Sequence, residues 1–405
     1  MKIPKGFKIN EGLNDEYVLE IKRNIYGQVN AGRVWNDYLT DRLVNKLGFK
    51  QSKVDKCMFY RGKTMYLLYT DDSILAGPDK NEIDKIISDI RGAGLDITEE
   101  GDIQDFLGVN ITRNEDGTIL LHQPHLVDEI LHDLWLTNDK VSTKRIPMAS
   151  SRLLTYHADS PSFDRSFDYR SVIGKMLYLE KGSRSDITYT VHQCARFTAD
   201  PKKEHGEAVK WLGRYLKLTR DKGLILRPDE TRGLEVYVDA SFASDWDLVM
   251  SHKNRTARSR HGYIIYYAGC PVLTKSQFQT EIALSTTESE YTGASYTLRD
   301  AIPIMEMLKE FKRNGFKVIG TKADVKCKVF EDNSSALEMM KIDKYCPRTK
   351  HLCCRLHHFR SYVDDGQITM HKVDTYDQDA DMLTKPVNEE ILLKCRKRVW
   401  GGKCD

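Results

Sequence analysis

The chain has 405 residues, of which 40% are hydrophobic and 30% are charged, and its formal net charge is +3. This length allows about two or three domains, and the composition excludes a disordered or fibrous chain. So small a net charge excludes a uniformly basic nucleic-acid binder, so such binding would depend on local basic stretches. The nine cysteines show no disulfide framework, and no apolar run suits a membrane span or a signal peptide. We therefore expect neither secretion nor a membrane partner.

The first strong patterns predict a helix and then a hairpin. Apolar residues recur at helical spacing from Ala31 to Leu47, and Gly48 follows as a stop signal. In the stretch Met65–Leu75, two apolar runs of β-forming residues flank the adjacent carboxylates Asp71 and Asp72. This pattern predicts a β-hairpin with acid at its tip. Adjacent aspartates in a turn are usually ordinary turn residues, so the pattern alone assigns them no chemistry.

The middle of the chain predicts short strands followed by helices. In chain order these are strand runs at Asp105–Val109 and Gly117–Gln123, a helix over His125–Leu136, a polar linker over 137–165, and helices from Tyr169 and from His205. A basic cluster accompanies the last helix and comprises Lys202, Lys203, Lys210, Arg214, Lys217, Arg220 and Lys222. Such a cluster is either a solvated helix face or a track for nucleic-acid phosphates.

Three acids in the second half mark a candidate site. The run Leu234–Asp239 alternates with period two and ends in acid, and so does the later strand run Val325–Asp332. Between them, Ser285 and Glu288 have the spacing of a capping box at the start of a long helix, in which Pro303 predicts a kink or a break. Glu290 lies on the helix face that should be buried, where a carboxylate needs a cation, a bonded partner or a metal.

The segments together resemble a copia-type retrotransposon polymerase over nearly the whole chain. The motifs that carry the resemblance are Ile3–Phe7, Ile25–Trp35, the Tyr-x-Asp-Asp hairpin, the segments 169–189 and 205–223, and the ending Ala380–Pro386. The resemblance implies that Asp71 and Asp72 hold divalent metal ions over a primer end. It also implies a third polymerase carboxylate on an upstream strand, and no acid before the hairpin ends an apolar strand. We therefore expect a truncated element whose polymerase activity is lost.

The second half resembles ribonuclease H. That resemblance implies that Asp239, Glu290, Asp332 and Asp381 gather around two Mg²⁺ ions, or Mn²⁺, and hydrolyse the RNA strand of RNA–DNA hybrids. The expected fold is α/β in the mixed α+β sense. We expect a partial palm and primer-grip region over residues 1–130, a linker and helical thumb or connection over 131–228, a ribonuclease H-like domain with a five-stranded mixed sheet flanked by helices over 229–390, and a basic tail over 391–405.

The expected partners are RNA–DNA hybrid and primer–template nucleic acid, in a cytoplasmic virus-like particle or in the nucleus. Phosphate contacts are expected from Arg255, Arg258, Arg260, Lys210, Arg214 and Lys217. The segment with His351, Cys353, Cys354 and His357 invites a zinc interpretation, but its spacing lacks a paired-ligand pattern. Two alternatives stay open: a catalytically inactive remnant that binds nucleic acid, and a polymerase completed by a separate chain.

Overall fold

The structure is a computed structural model that describes residues 18–22, 24–25, 27–149, 154–246, 257–319, 325–341 and 358–399. The Ile3–Phe7 motif, Arg255 and the segment from His351 to His357 lie outside these residues. The chain divides into two compact units, one within residues 1–99 and 310–316 and the other within residues 100–309 and 317–405. Among the described residues, no helix combines the length and the apolar character needed to cross a bilayer.

The first unit is built on a four-stranded antiparallel sheet with the strand order β1-β2-β3-β4. Its elements are α1 Ala31–Asp41, β1 Lys50–Gln51, β2 Met58–Arg61, β3 Thr64–Tyr69, β4 Asp72–Ala76 and α2 Lys80–Gly92. After α1 the predicted helix continues as a π-helix over Arg42–Lys46, and Gly48 has a φ of +70° that reverses the chain. The buried core of this unit includes Leu43, Phe59 and Ile86.

The second unit opens with a small antiparallel sheet and a group of helices. The small sheet has the order β5-β6-β7-β8. Its elements in chain order are β5 Asp105–Phe106, β6 Val109–Arg113, β7 Ile119–His122, α3 Pro124–Asp133, α4 Tyr169–Gly182, α5 Thr188–Ala195, α6 Lys203–Leu218 and β8 Leu224–Leu226. Helix α3 starts at Pro124, a residue suited to the first helical turn because it has no N–H to satisfy.

The five-stranded mixed sheet predicted for the second half is confirmed, with the order β11-β10-β9-β12-β13. Strands β9 to β11 pair antiparallel, and β12 is parallel to both of its neighbours. The elements are β9 Leu234–Ser241, β10 Arg260–Tyr267, β11 Cys270–Phe278, α7 Thr286–Arg313, β12 Cys327–Glu331, α8 Ser334–Lys341, β13 Ile368–Lys372, α9 Asp381–Thr384 and α10 Glu389–Val399. Residues 358–364 are also helical.

Of the predicted kink or break at Pro303, the break is absent, because α7 runs through that residue without interruption. Proline inside a helix costs about 3 kcal/mol, since it removes one backbone hydrogen bond and crowds the preceding turn. Ala301, Met305 and Leu308 around it are buried in the core. Burial of these apolar side chains offsets that cost and holds the helix in one piece.

One apolar core joins the helices of the second unit to its large sheet. Val172, Val191 and Leu212 of the helices belong to the same buried cluster as Ile264 of β10 and Leu383 of α9. This helical layer covers one face of the sheet. Helix α7 lies against the other face, where a Cβ at Gly293 would lie 3.2 Å from His261 Cβ and 3.4 Å from Ala240 Cβ. Strand β10 is consequently buried on both faces.

Candidate metal centre

The site begins at the ends of two neighbouring strands. Strands β9 and β12 are parallel, and Phe330 pairs with Tyr237. Two residues further along, Asp239 and Asp332 stand at the same level of the sheet, because equivalent steps along parallel strands keep their register. Asp239 is buried, and Asp332 follows directly after the end of β12.

Helix α7 brings the third carboxylate to this edge. The predicted cap is present in part: Glu288 N–H donates to Ser285 Oγ at 3.1 Å, whereas the Glu288 carboxylate accepts from Leu284 N–H at 2.9 Å. Glu290 follows in the next turn, on the face whose other members, such as Ala294 and Leu298, are buried. As a result, single carboxylate oxygens of Glu290, Asp239 and Asp332 lie within 4.8 Å of one another.

Asp381 lies beside this group, at the start of the four-residue helix α9. Helix α9 ends at Thr384, because Pro386 disfavours helical dihedrals at Lys385, which is extended with φ −146° and ψ 158°. Lys385 Nζ lies 2.8 Å from Asp381 Oδ1. The hydroxyl of Thr384 donates to Asp239 Oδ2, so α9 is tied directly to the end of β9.

A glycine lets α9 approach so closely. Gly262 on β10 stands opposite Asp239 in the sheet register. A Cβ atom at Gly262 would lie 2.5 Å from Leu383 Cβ and 3.0 Å from Thr384 Cγ2. No side chain fits at that distance, so glycine is required here for packing rather than for an unusual φ.

Arg260 supports the same helix and does not face nucleic acid. It is 1% exposed, its guanidinium packs over the Phe278 ring at 4.0 Å, and it donates to Ser276 Oγ at 3.0 Å. Ser276 Oγ in turn donates to the Leu383 carbonyl at 2.6 Å. The expectation that Arg260 contacts phosphate is therefore wrong, because a strand buried on both faces leaves no path from this side chain to solvent.

Burial and mutual repulsion shape the electrostatics of the site. Burial, reinforced by the charge of Asp381, raises the pKa of Asp239 to about 6. Burial and the neighbouring Glu331 raise the pKa of Glu290 to about 11. One oxygen of Glu290 accepts the backbone N–H of Ala240, and Oε2 is buried with no hydrogen-bond partner among the described residues.

Glu331 is a buried acid that the motif comparison missed. It is fully buried at the end of β12, Oε1 accepts from Asn333 N–H at 3.0 Å, and Oε2 has no hydrogen-bond partner among the described residues. Burial, together with the charges of Asp239 and Asp332, raises the pKa of Glu331 to about 9. Period-two alternation places it on the same buried face as Cys327 and Val329, and that signal was available in the sequence.

The arrangement suits a hard divalent cation. Asp239, Glu290 and Asp332 line an open cleft of about 380 Å³ together with Lys385. Carboxylate oxygens are the ligands that Mg²⁺ and Mn²⁺ prefer, and a cation would satisfy the buried Glu290 oxygen that has no hydrogen-bond partner among the described residues. The site therefore fits the expected metal, with Asp381 adjacent to it.

The acids of the first unit are arranged differently. Tyr69 pairs with Asp72, so the predicted hairpin is confirmed, with Thr70 and Asp71 as its turn. The turn is anchored by Trp35, whose Nε1–H donates to the Thr70 carbonyl at 2.8 Å. Asp71 and Asp72 are exposed. In the described part of the chain, the hairpin acids belong to no group of three metal-ligating side chains.

Two further aspartates near the C-terminus have structural partners. Asp377 forms ion pairs with Lys394 at 2.8 Å and Arg398 at 2.6 Å. Asp379 is buried and accepts the Tyr266 hydroxyl at 3.0 Å. Burial raises the pKa of Asp379, and the ion pair with Arg398 partly offsets this rise.

The remaining predicted phosphate contacts lie on α6 and before β10. Lys210, Arg214 and Lys217 share one face of α6 and are partly exposed. Lys210 Nζ donates to the Ser166 hydroxyl at 3.0 Å, and Lys217 Nζ donates to the Asn138 carbonyl at 2.5 Å. Both acceptors are uncharged, so neither hydrogen bond is an ion pair. Arg258 is also partly exposed.

Among solved structures, the chain is similar to a ribonuclease H1 isolated from compost by a metagenomic approach. The match has 14% sequence identity and a TM-score of 0.27, and covers 37% of this chain and 91% of that one.

Sequence comparisons place the whole chain. Residues 1–150 match the family model described as reverse transcriptase (RNA-dependent DNA polymerase). Over 98% of its length, the chain is 30% identical to the retrovirus-related Pol polyproteins from transposon TNT 1-94 of Nicotiana tabacum and transposon RE2 of Arabidopsis thaliana. It spans 29% and 26% of the lengths of these relatives. The chain belongs to the Ty1/copia-type retrotransposon Pol polyproteins, and its reverse transcriptase match covers residues 1–150.

Proposed function

We propose that the second unit hydrolyses the RNA strand of RNA–DNA hybrids, with Mg²⁺ or Mn²⁺ held by Asp239, Glu290, Asp332 and Asp381. The observation that carries this proposal is the convergence of three carboxylate oxygens within 4.8 Å, at the edge of the sheet and in an open cleft. When bound, two divalent ions supply an activated water and stabilise the leaving 3′ oxygen.

The chain's own residues hold the ligand set in place. The Thr384 hydroxyl donates to Asp239, and the Ala240 N–H donates to one oxygen of Glu290. Each of these two carboxylates is therefore oriented by a hydrogen bond to one of its oxygens. Hydrogen bonds of this kind orient metal ligands, and their loss typically costs about 10- to 100-fold in metal affinity or activity. Gly262 and Arg260 fix the position of α9, which carries Asp381 and Thr384.

Hybrid binding is proposed to use the basic face of α6. Lys210 and Lys217 donate to uncharged oxygens and Arg214 is partly exposed, whereas Arg220 is paired with Asp128 at 2.5 Å. Phosphate contacts of this type bind without regard to sequence and weaken as salt increases. Selectivity for a hybrid would then come from the shape of the duplex and from 2′-hydroxyls on one strand.

We do not assign polymerisation to the hairpin of this chain alone. Polymerase chemistry of the two-metal type needs clustered carboxylates. Asp71 and Asp72 are exposed, and among the described residues no third acid joins them in a metal-ligating group. We propose that these aspartates act on a primer only when a further polypeptide segment supplies the missing carboxylate.

The test is cleavage of an end-labelled RNA–DNA hybrid by the purified chain in Mg²⁺. Asp239→Asn and Glu290→Gln should each lower the cleavage rate by on the order of 100-fold or more, because each removes a charged metal ligand. Asp364→Asn is the matched control, since Asp364 is exposed and lies outside the cleft, and it should cleave like the parent. A folded parent that binds the hybrid without cutting it would refute hydrolysis and leave a nucleic-acid-binding function.

A further inference from the structure

Lys385 contributes the positive charge inside an otherwise acidic cleft. Of the residues that line the cleft, Asp239, Glu290 and Asp332 are acidic, and Lys385 is the cation. Its ammonium interacts electrostatically with Asp239, Asp381 and Asp332. Without a metal, this side chain is a counter-ion for these three aspartates.

The position of Lys385 is set by the backbone rather than by a flexible loop. Pro386 forces Lys385 out of helical dihedrals, and the Lys385 N–H donates to the Asp381 carbonyl at 3.2 Å. The main chain and the side chain of Lys385 therefore both engage Asp381. The side chain is 44% exposed, so it has room to leave the carboxylate when another cation arrives.

We propose that Lys385 is a built-in counter-ion that a divalent metal must displace from Asp381, and that it thereby sets the metal affinity of the site. The ammonium lies 2.8 Å from Asp381 Oδ1. A metal that took this oxygen as a ligand at about 2.0–2.6 Å would need the same space and would repel the ammonium. The inference rests on the proposed metal site and adds to it a competitor supplied by the protein.

The competition predicts opposite effects on metal binding and on metal-free stability. Lys385→Gln removes the competing charge, so the dissociation constant for Mn²⁺ should fall by about 10-fold. The same change leaves the carboxylates without their counter-ion, so the melting temperature in chelator should fall. Lys385→Arg keeps the charge and should behave like the parent in both measurements.

The experiment is calorimetric titration of the full chain with Mn²⁺ in the absence of nucleic acid, together with thermal unfolding in chelator. Lys385→Gln in the Asp381→Asn background is the matched control. Without the acidic partner, the substitution should change Mn²⁺ affinity far less than it does in the parent. Circular dichroism verifies that each variant is folded.

Unchanged or weaker Mn²⁺ binding by folded Lys385→Gln would overturn the inference, since a competitor cannot be removed without effect. Tighter binding by Lys385→Gln, in a chain that still fails to cut hybrid, would support the inference and refute the proposed hydrolysis. A parent that binds no Mn²⁺ would refute both. These outcomes separate the role of Lys385 from the chemistry of the site.

Discussion

At the scale of single residues, two buried polar side chains, Glu331 and His261, affect the stability of the folded chain. Glu331 and His261 are both buried, and each has a polar atom with no hydrogen-bond partner among the described residues. Such groups cost free energy in the folded state unless they stay uncharged or meet an ion. Glu331 lies next to the proposed metal ligands, whereas His261 lies in an aromatic stack 4.9 Å from the Tyr296 ring.

The low pKa of His261 leads us to expect that the free energy of unfolding decreases in acid. Burial and the nearby Arg260 charge lower the pKa of His261 from 6.5 to about 3. The unfolded chain therefore takes up this proton first, so stability is fully present above pH 6.5 and is lost as the pH falls towards 3. Between pH 7 and pH 5 the free energy of unfolding should drop by about 2 kcal/mol from this group alone.

Urea unfolding of the parent and His261→Phe across this pH range checks the prediction. Phenylalanine preserves the aromatic stack and cannot be protonated. Between pH 7 and pH 5, the free energy of unfolding of His261→Phe should therefore drop by about 2 kcal/mol less than that of the parent. Equal pH dependence in the two proteins would show that other groups cause the acid sensitivity.

At the scale of elements, the short helix α9 is the least self-sufficient part of the site. Four residues form too short a helix to be stable alone, so its position depends on Gly262 and on the Ser276 hydroxyl bonded to the Leu383 carbonyl. Helix α7, by contrast, is long and buries a continuous face. The position of Glu290 is therefore robust, whereas the positions of Asp381 and Lys385 are sensitive to their neighbours.

Gly262→Ala should displace α9 and damage the site. The added methyl would lie 2.5 Å from Leu383 Cβ, so the helix must move and the bond from Thr384 to Asp239 must stretch. We expect a loss of about 1–3 kcal/mol in unfolding free energy and at least about a 10-fold loss of hybrid cleavage.

Gly174→Ala in α4 is the control, because a methyl there meets nothing within 4 Å. That change should be neutral or slightly stabilising, since alanine is the better helix former. Unfolding curves and cleavage rates measured on both variants decide the matter. Full activity in folded Gly262→Ala would mean that the approach of α9 is not needed.

At the scale of the whole molecule, the helical layer and the large sheet form a single unit. Ile264, Leu383 and Val399 of the sheet region share a buried cluster with Val191 and Leu212 of the helices. Fully burying one such side chain contributes about 1.5–3 kcal/mol. The helices that precede the five-stranded sheet are thus part of its core, and α6 also carries the basic face.

A shortened chain of residues 229–405 should therefore be markedly less stable than residues 100–405. Removing the helices would expose the apolar face of β10 and α9, which favours aggregation. Unfolding midpoints and light scattering of the two chains measure this. A shortened chain that is monomeric and as stable as the longer one would contradict the shared core.

Much of the fold was readable because its signals are local. The strand ending in Asp239, the buried face that holds Glu290, and the acidic hairpin all follow from residue periodicity within one segment. The continuity of α7 through Pro303 was not readable, since packing against distant residues decides whether a proline breaks a helix. Arg260 likewise looks like a surface cation in the sequence. Its burial could not be predicted, because it depends on a layer of helices formed by residues far away along the chain.

The sequence by itself determined the order of the motifs and the strands and helix that carry Asp239, Glu290 and Asp332, because these depend on residue types at short spacing. Its resemblance to known families implied the membership of the Pol polyproteins, the mixed sheet and the role of Asp381. Only the tertiary structure decided which charges share the cleft. It brought Lys385 against Asp381, buried Glu331 close enough to raise the pKa of Glu290, and buried Arg260 where it supports α9 through Ser276. The physical reason is that burial and ion pairing depend on distances through space between segments far apart in the chain, and residue periodicity carries no record of those distances.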